Sequence, residues 1–466
     1  MNSALIMQAN LLLSLVICGL AQYVTGITAF LWLPFLLAIA TLMLLPLQTR
    51  YSPLQTRYSP LRLDYQEKVL LLLYCGLLVL ALLGTLLQQG GMVTIIGFKN
   101  ELALSLLLPC LLLGFCRESQ IYRIMKLVEW VFYLQIPVVL FQVLVVVPKR
   151  VAMRGEFEKW DSVVGTFGGD PMGGGNTGAL GFFCLLVMLI KLSEFRHGLI
   201  SRRSVAFHIL AAFAICVLAE VKFVILLSPL LLAWVWLSPS YVRGMKSYDL
   251  KRLLLIALAM TVLVAVAVLV LAASYSSAFE GAGQQGAIAL FIDSLGYIFD
   301  PNHINPETGE LGRVTTLFFW ASNGDHHGLS NLLFGYGLNT TNHGSTLPGF
   351  LNPLFNVLLD STSLSVLLWE VGLMGTLIFI ALIVLLLWCC RPCPLLDRQL
   401  LSTADVRLLS YQPAFIAFGI ACLLSLPYSQ LLMLIPVQQF LFYFVLGAAL
   451  VIRSSVRQAT SSCEVS

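Results

Sequence analysis

The chain has 466 residues, of which 59% are hydrophobic and only 11% charged. A soluble globular chain carries about 25% charged residues, so this one lacks the polar surface needed to dissolve; soluble enzymes, nucleic-acid binders and disulfide scaffolds are excluded. Its net charge of +4, from 27 Lys and Arg against 23 Asp and Glu, is too mild to call for a polyanionic partner.

The apolar residues come in blocks of about 15–25, which is helical spanning and not the alternation of an outer-membrane barrel. The predicted fold class is therefore all-α, a polytopic transmembrane bundle of about twelve spans. In chain order the blocks run Ala4 to Leu20, Ile27 to Leu47, Val69 to Gln88, Leu102 to Cys116, Leu127 to Val147 and Gly178 to Leu192. They continue with Ser204 to Leu218, Phe223 to Leu237, Leu253 to Ala273, Leu364 to Trp388, Ala414 to Tyr428 and Leu431 to Ile452. Met1 to Leu20 has no Lys or Arg ahead of its apolar run and reads as a first span, not a removed signal peptide.

Charge asymmetry tests the topology independently. With these spans, all but seven of the 27 cations fall on one side; the seven are Lys99, Lys149, Arg150, Arg154, Lys159, Lys222 and Arg313. The positive-inside rule makes the richer side cytoplasmic and puts both termini there. Residues 1–273 then hold the first nine spans, with a glycine-rich external loop at 148–177. Residues 274–363 form a long external loop, and 364–466 hold the last three spans and a cytoplasmic tail. The long loop is rich in Gly, Asn, His and aromatics, so it is expected to fold, with short helices lying against the membrane surface.

Two sequence oddities carry no chemistry. LQTRYSP at Leu47 to Pro53 is repeated at Leu54 to Pro60, where the prolines forbid a continuous helix. Most of the cysteines sit in apolar blocks as small hydrophobes, and Cys389, Cys390 and Cys393 lack a second pair to complete four metal ligands. Asp325-His326-His327 likewise has no ligand set of recognisable spacing, so neither metal nor cofactor is expected.

The strongest local signal runs from Asp161 to Gly178, with glycines at 165, 168, 169, 173, 174, 175 and 178. Two readings stand side by side. Close backbone approach and free amides at a helix start would cradle an anion, or the segment is a re-entrant turn. It is not a nucleotide P-loop, since no Gly-Lys-Ser/Thr follows. Arg150, Arg154 and Lys159 form a cationic cluster beside it, diluted by Glu156, Glu158 and Asp161. Lys222, at the apex of the hairpin Ala219-Glu220-Val221-Lys222, reads as a functional cation drawn toward the membrane. In the long loop Arg313 is the only cation, accompanied by His303, His326, His327 and His343 and by Glu310, Asp325 and Asp360. Within spans, Glu129 is expected to snorkel to the cytoplasmic edge and Glu370 to be hydrogen-bonded inside the bundle.

Three motifs in this order resemble the O-antigen polymerase and O-antigen ligase superfamily, membrane glycosyltransferases that join lipid-linked glycans on the periplasmic side. They are Val164-Gly165-Thr166-Phe167-Gly168 with Asn176, then Leu333-Phe334-Gly335-Tyr336-Gly337-Leu338, then Leu368-Trp369-Glu370-Val371-Gly372-Leu373-Met374-Gly375. The resemblance covers most of the chain and is nearest to exopolysaccharide or capsule polymerases. Two departures stand out. Family ligases carry a His and a polar residue where this chain has Ser361 and Thr362, which favours a polymerase. No Arg precedes Gly165, so Arg154 or Lys159 would have to substitute.

The resemblance implies a bacterial inner-membrane enzyme that joins polyprenyl-diphosphate-linked oligosaccharide repeat units, with no metal and no sugar nucleotide. Arg150, Arg154, Lys222 and Arg313 would bind the diphosphate, with amides from Gly165, Thr166, Gly168 and Asn176 nearby. His343 or Asp360 would take the acceptor proton, with His326 and His327 as substitutes. Expected partners are the lipid-linked oligosaccharide, membrane lipid, a chain-length regulator and other assembly proteins. The alternatives are a ligase that transfers finished chains and, from a different class, a lipid-linked glycan flippase or transporter.

Overall fold

A computed structural model describes residues 3–51, 63–155, 159–172, 176–242, 250–278, 296–306, 308–344, 347–392 and 396–464. Most of the duplicated heptad, residues 173–175, Glu156, Glu158, Glu307 and Cys393 lie outside them. The chain is 77% helical with no strands among the described residues, and nine of its helices are long and apolar enough to cross a membrane. It is an all-α integral membrane protein.

The nine are Ser3–Thr25, Thr28–Pro46, Tyr65–Gln89, Gly91–Leu112, Glu118–Arg154, Thr177–Arg196, Gly372–Cys389, Thr403–Ser425 and Pro436–Arg457. Arg202–Leu218 and Lys222–Leu237 are shorter apolar helices, and Leu250–Ala278 is apolar through its middle. Thr177–Arg196, Thr403–Ser425 and Pro436–Arg457 are the most deeply buried and pack on one another. Apolar all round, they have no polar face to turn outward and so occupy the middle of the bundle. Thr28–Pro46 and Tyr65–Gln89 stand at the periphery with most of their Leu surface facing out.

Three helices carry a π-turn, where the chain widens by one residue: Leu13–Ile17, Phe98–Leu102 and Gln142–Val146. Such turns re-aim side chains and release carbonyls from the helical ladder. Each of these three contributes a group that grips an external segment, as described below.

Several expectations are corrected. The segment from Pro148 does not begin as a loop, because the Glu118 helix continues to Arg154. Lys99 lies inside the Gly91–Leu112 helix and not in a connection. The span expected from Leu364 to Trp388 is two helices, Ser363–Glu370 and Gly372–Cys389, because Gly372 takes a left-handed φ of +68°. A Cβ there would lie 2.4 Å from the Gly335 nitrogen, so the second and third motifs are one contact. Glu129 does not simply snorkel: it is paired at 2.8 Å with the buried Lys191, which also meets Glu194 at 2.9 Å.

The segment expected as the long loop contains four short helices among the described residues, Gly296–Phe299, Thr315–Asn323, Leu329–Phe334 and Leu351–Phe355. Thr315–Asn323 and Leu351–Phe355 pack on a small second core of Leu311, Tyr336, Leu351, Leu359 and Trp369.

Candidate active site

The described part of the glycine loop is tucked into the bundle. Val163, Val164, Thr166 and Phe167 are fully buried, and the backbone lies against the first helix: a Cβ on Gly19 would fall 2.2 Å from the Thr166 carbonyl oxygen. Two glutamines of the Glu118 helix hold it. Gln142 Oε1 accepts the amides of Val164 and Gly165 at 3.0 and 2.8 Å, and its Nε2 donates to the Gly165 carbonyl at 2.9 Å. Gln135 Oε1 accepts the Thr166 amide at 2.9 Å while its Nε2 donates to Thr166 Oγ1 at 2.8 Å. The Thr166 hydroxyl donates to the Leu15 carbonyl, inside the first π-turn. Asn176 Nδ2 closes the loop on the Phe167 carbonyl at 2.7 Å.

Buried amides must be paired, and here side chains of the bundle do the pairing. The amides of residues 164–166 are therefore spent within the protein. Gly165, Thr166, Gly168 and Asn176 build a seat, and the left-handed φ of +60° and +83° at Gly165 and Gly168 lets the chain turn inside it.

Arg150 braces this seat from the outer end. It is 1% exposed, its NH1 lies 3.4 Å from the Pro171 carbonyl, and its charge reaches Tyr23, whose hydroxyl donates to the Ser162 carbonyl at 3.0 Å. Arg154, one turn on, is exposed and stands apart. Lys222 opens its helix beside the same loop, within the electrostatic reach of Asp161 and Glu220.

The long external segment supplies the second half of the site. Arg313 NH1 donates to the Ser361 carbonyl at 2.5 Å and lies 3.3 Å from Glu310 Oε1. The residue before Ser361 is Asp360, almost fully buried, whose Oδ2 receives His343 Nδ1 at 2.7 Å. The His343 side chain is 51% exposed, so the ring is anchored at one nitrogen and open at the other. The Asp360 hydrogen bond raises the His343 pKa above the ordinary histidine value, and the Asp360 and Glu310 charges add to the shift against partial burial. Nδ1 against a carboxylate leaves Nε2 as the basic nitrogen.

An aromatic bridge joins the two halves. The Arg313 guanidinium sits 5.9 Å from the Tyr428 ring centroid, and Tyr428 stacks on Phe223 at 4.7 Å, next to Lys222. Arg313 thus lies beside the His343–Asp360 pair through the Ser361 carbonyl, while Lys222 is linked to it only through its chain neighbour Phe223 and Tyr428, and Arg150 lies against the glycine loop. His326 and His327 lie elsewhere, edge-on to Phe355 and Tyr336. No group of three or more metal-ligating side chains exists among the described residues.

Gln135, Gln142 and Tyr428 were not singled out from the sequence. The glutamines had a signal: two amides seven residues apart in an otherwise apolar helix share one face. Tyr428 had none, since a tyrosine at the end of a span is ordinary. No protein-family model matches the chain and no curated protein is significantly similar to it.

Proposed function

We propose that the chain is a polysaccharide polymerase, joining polyprenyl-diphosphate-linked oligosaccharide repeat units at the periplasmic face of a bacterial inner membrane, with both termini in the cytoplasm. One observation supports the reading: an imidazole held at Nδ1 by Asp360 and half exposed lies next to the segment that Arg313 grips at Ser361, and Arg313 in turn faces the Tyr428–Phe223 stack.

The chemistry follows from those parts. The acceptor hydroxyl gives its proton to His343 Nε2 as its oxygen bonds to the anomeric carbon, and the bond from that carbon to the diphosphate oxygen breaks. The configuration inverts in a single displacement. Asp360 stabilises the imidazolium that forms, while Arg313 and Lys222 meet the negative charge growing on the departing diphosphate. Between the two proton acceptors offered by sequence, His343 is the base and the buried Asp360 its orienter. Arg154, exposed and apart from these groups, has no part in this step. The glycine loop acts as a floor, the amides of residues 164–166 being held by Gln135 and Gln142.

Reconstitution of the purified protein with a lipid-linked oligosaccharide tests the reading. Longer lipid-linked chains are expected. Chains moved onto a different acceptor would make it a ligase, and unmodified substrate crossing the bilayer a transporter. Arg313→Ala and Lys222→Ala should each lower elongation on the order of 100-fold while the protein still inserts; unchanged chain length in both would remove the diphosphate site.

A further inference from the structure

Two acids that this chemistry does not use face each other inside the bundle, beneath the loop that carries His343. Glu101 lies in the π-turn Phe98–Leu102, and Glu370 ends the helix Ser363–Glu370. Both are buried, at 0% and 1% exposure. One oxygen of each is spent on the loop. Glu101 Oε1 accepts the Asn339 amide at 2.8 Å; Glu370 Oε1 accepts the Thr341 amide at 3.0 Å and the Thr341 hydroxyl at 2.7 Å. The second oxygen of each is buried with no donor among the described residues, and the two carboxyl groups bind the same loop two residues apart, at Asn339 and Thr341, which sets them side by side.

Two carboxylates this close in a dry site cannot both ionise, whereas one proton between them turns repulsion into a short hydrogen bond. Glu370 already accepts two donors from Thr341, while Glu101 accepts one from Asn339. The negative charge therefore belongs on Glu370 and the proton on Glu101.

From this pair, bonds run to both members of the catalytic dyad. The Thr341 carbonyl accepts Asn352 Nδ2 at 2.6 Å, and Asn352 Oδ1 accepts the Leu359 amide at 3.0 Å. Thr341 is two residues before His343, and Leu359 immediately precedes Asp360. Asn339, held in the left-handed region at φ +66°, donates through Nδ2 to the Leu347 carbonyl at 2.7 Å and closes the other side of the loop. We propose that Glu101 and Glu370 hold a single proton between them, and that this carboxyl pair is the positioning element for His343 against Asp360. The second half of the proposal rests on the reading of His343 as the base.

Infrared spectroscopy on the full-length protein in lipid nanodiscs tests the proton. A carboxylic-acid carbonyl band is expected at neutral pH and should vanish in both Glu101→Gln and Glu370→Gln, since either amide donates to the remaining carboxylate. A band that is missing from the wild type, or that survives both substitutions, overturns the shared proton.

Positioning is read from the His343 titration by NMR of isotopically labelled histidine, assigned with His343→Ala. Each single Gln variant should keep the raised midpoint. Glu101→Ala should lower it toward the free-histidine value, as should the isosteric double Gln variant, whose two amide groups oppose each other with no acceptor between them. A midpoint unmoved in both overturns the positioning role. In the elongation assay Glu101→Ala should lower kcat on the order of 100-fold with little change in KM, and Glu101→Gln should restore it. A wild type that elongates nothing would sink the polymerase reading alone, because the infrared and NMR outcomes decide the pair without it.

Discussion

In the proposed reaction, the hydrogen bond between His343 and Asp360 would set the working pH. The His343 imidazolium gains the Asp360 carboxylate on folding, which raises its pKa. The stability that this pair contributes is complete below the ordinary histidine value of about 6.5 and is lost as the pH climbs through the raised value. As a base the ring must be neutral, so elongation should switch on only above that value. The acidic limb of a rate–pH profile is expected above about pH 6.5, and Asp360→Asn should move it down while lowering the plateau. A limb unmoved in Asp360→Asn would separate His343 from the proton transfer. Asp360 and His343 were both legible in the sequence as titratable groups in an external loop. Their division of labour was not, because burial decides it and the two residues are 17 positions apart.

At the scale of elements, the π-turns explain why long apolar helices can hold polar loops. Gln142 begins one such turn and satisfies two buried amides and one carbonyl of the glycine loop. Gln142→Ala would strand all three at about 1–3 kcal/mol each, so a large fall in melting temperature in detergent is expected, with the loop becoming open to protease. Normal melting would mean that water replaces the glutamine and that the loop is not a dry seat. The hydrogen bonds of residues 164–166 are all made within the protein. Spacing alone left both sequence readings of this loop open because glycine permits either. The break at Gly372 was hidden for a related reason. Both halves of that segment are apolar, and only the approach of Gly335 reveals why the chain must turn there.

Over the whole molecule, polar contacts sort to two ends of the bundle. One end joins Arg150, Lys222, Arg313 and His343 through the contacts already described. The other holds Lys191 with Glu129 and Glu194, the Arg398–His197 bond and a cluster around Arg453. Arg453 meets Asp64 at 2.6 Å and Glu67 at 2.8 Å, fastening the last helix to the capping box that starts Tyr65–Gln89; Arg457 also reaches Asp64. Removing Arg453 leaves the buried Glu67 with only Arg457, at 4.0 Å, as a cation among the described residues, while Asp64 keeps Arg457. Arg453→Ala should therefore destabilise by about 3–5 kcal/mol, measured as loss of folded protein in a denaturant or heating series, and a loss below about 1 kcal/mol would show the cluster to be solvated. The separation into ends was legible in the distribution of Lys and Arg. The pairing within each end was not, since it joins helices far apart in sequence.

The seat of the glycine loop also has a consequence for the order in which the chain is put together. Thr166 closes on Leu15 across 151 residues, and both partners are made long before the segment around Asn339. The loop can then lock early, at the amino-terminal half of a protein still being synthesised. The clasp between Glu101 and Asn339 spans 238 residues and must wait until the segment around Asn339 has been made. Biogenesis would thus proceed from a finished floor to a late-arriving roof, and a ribosome stalled between those two points should expose the first half already resistant to digestion.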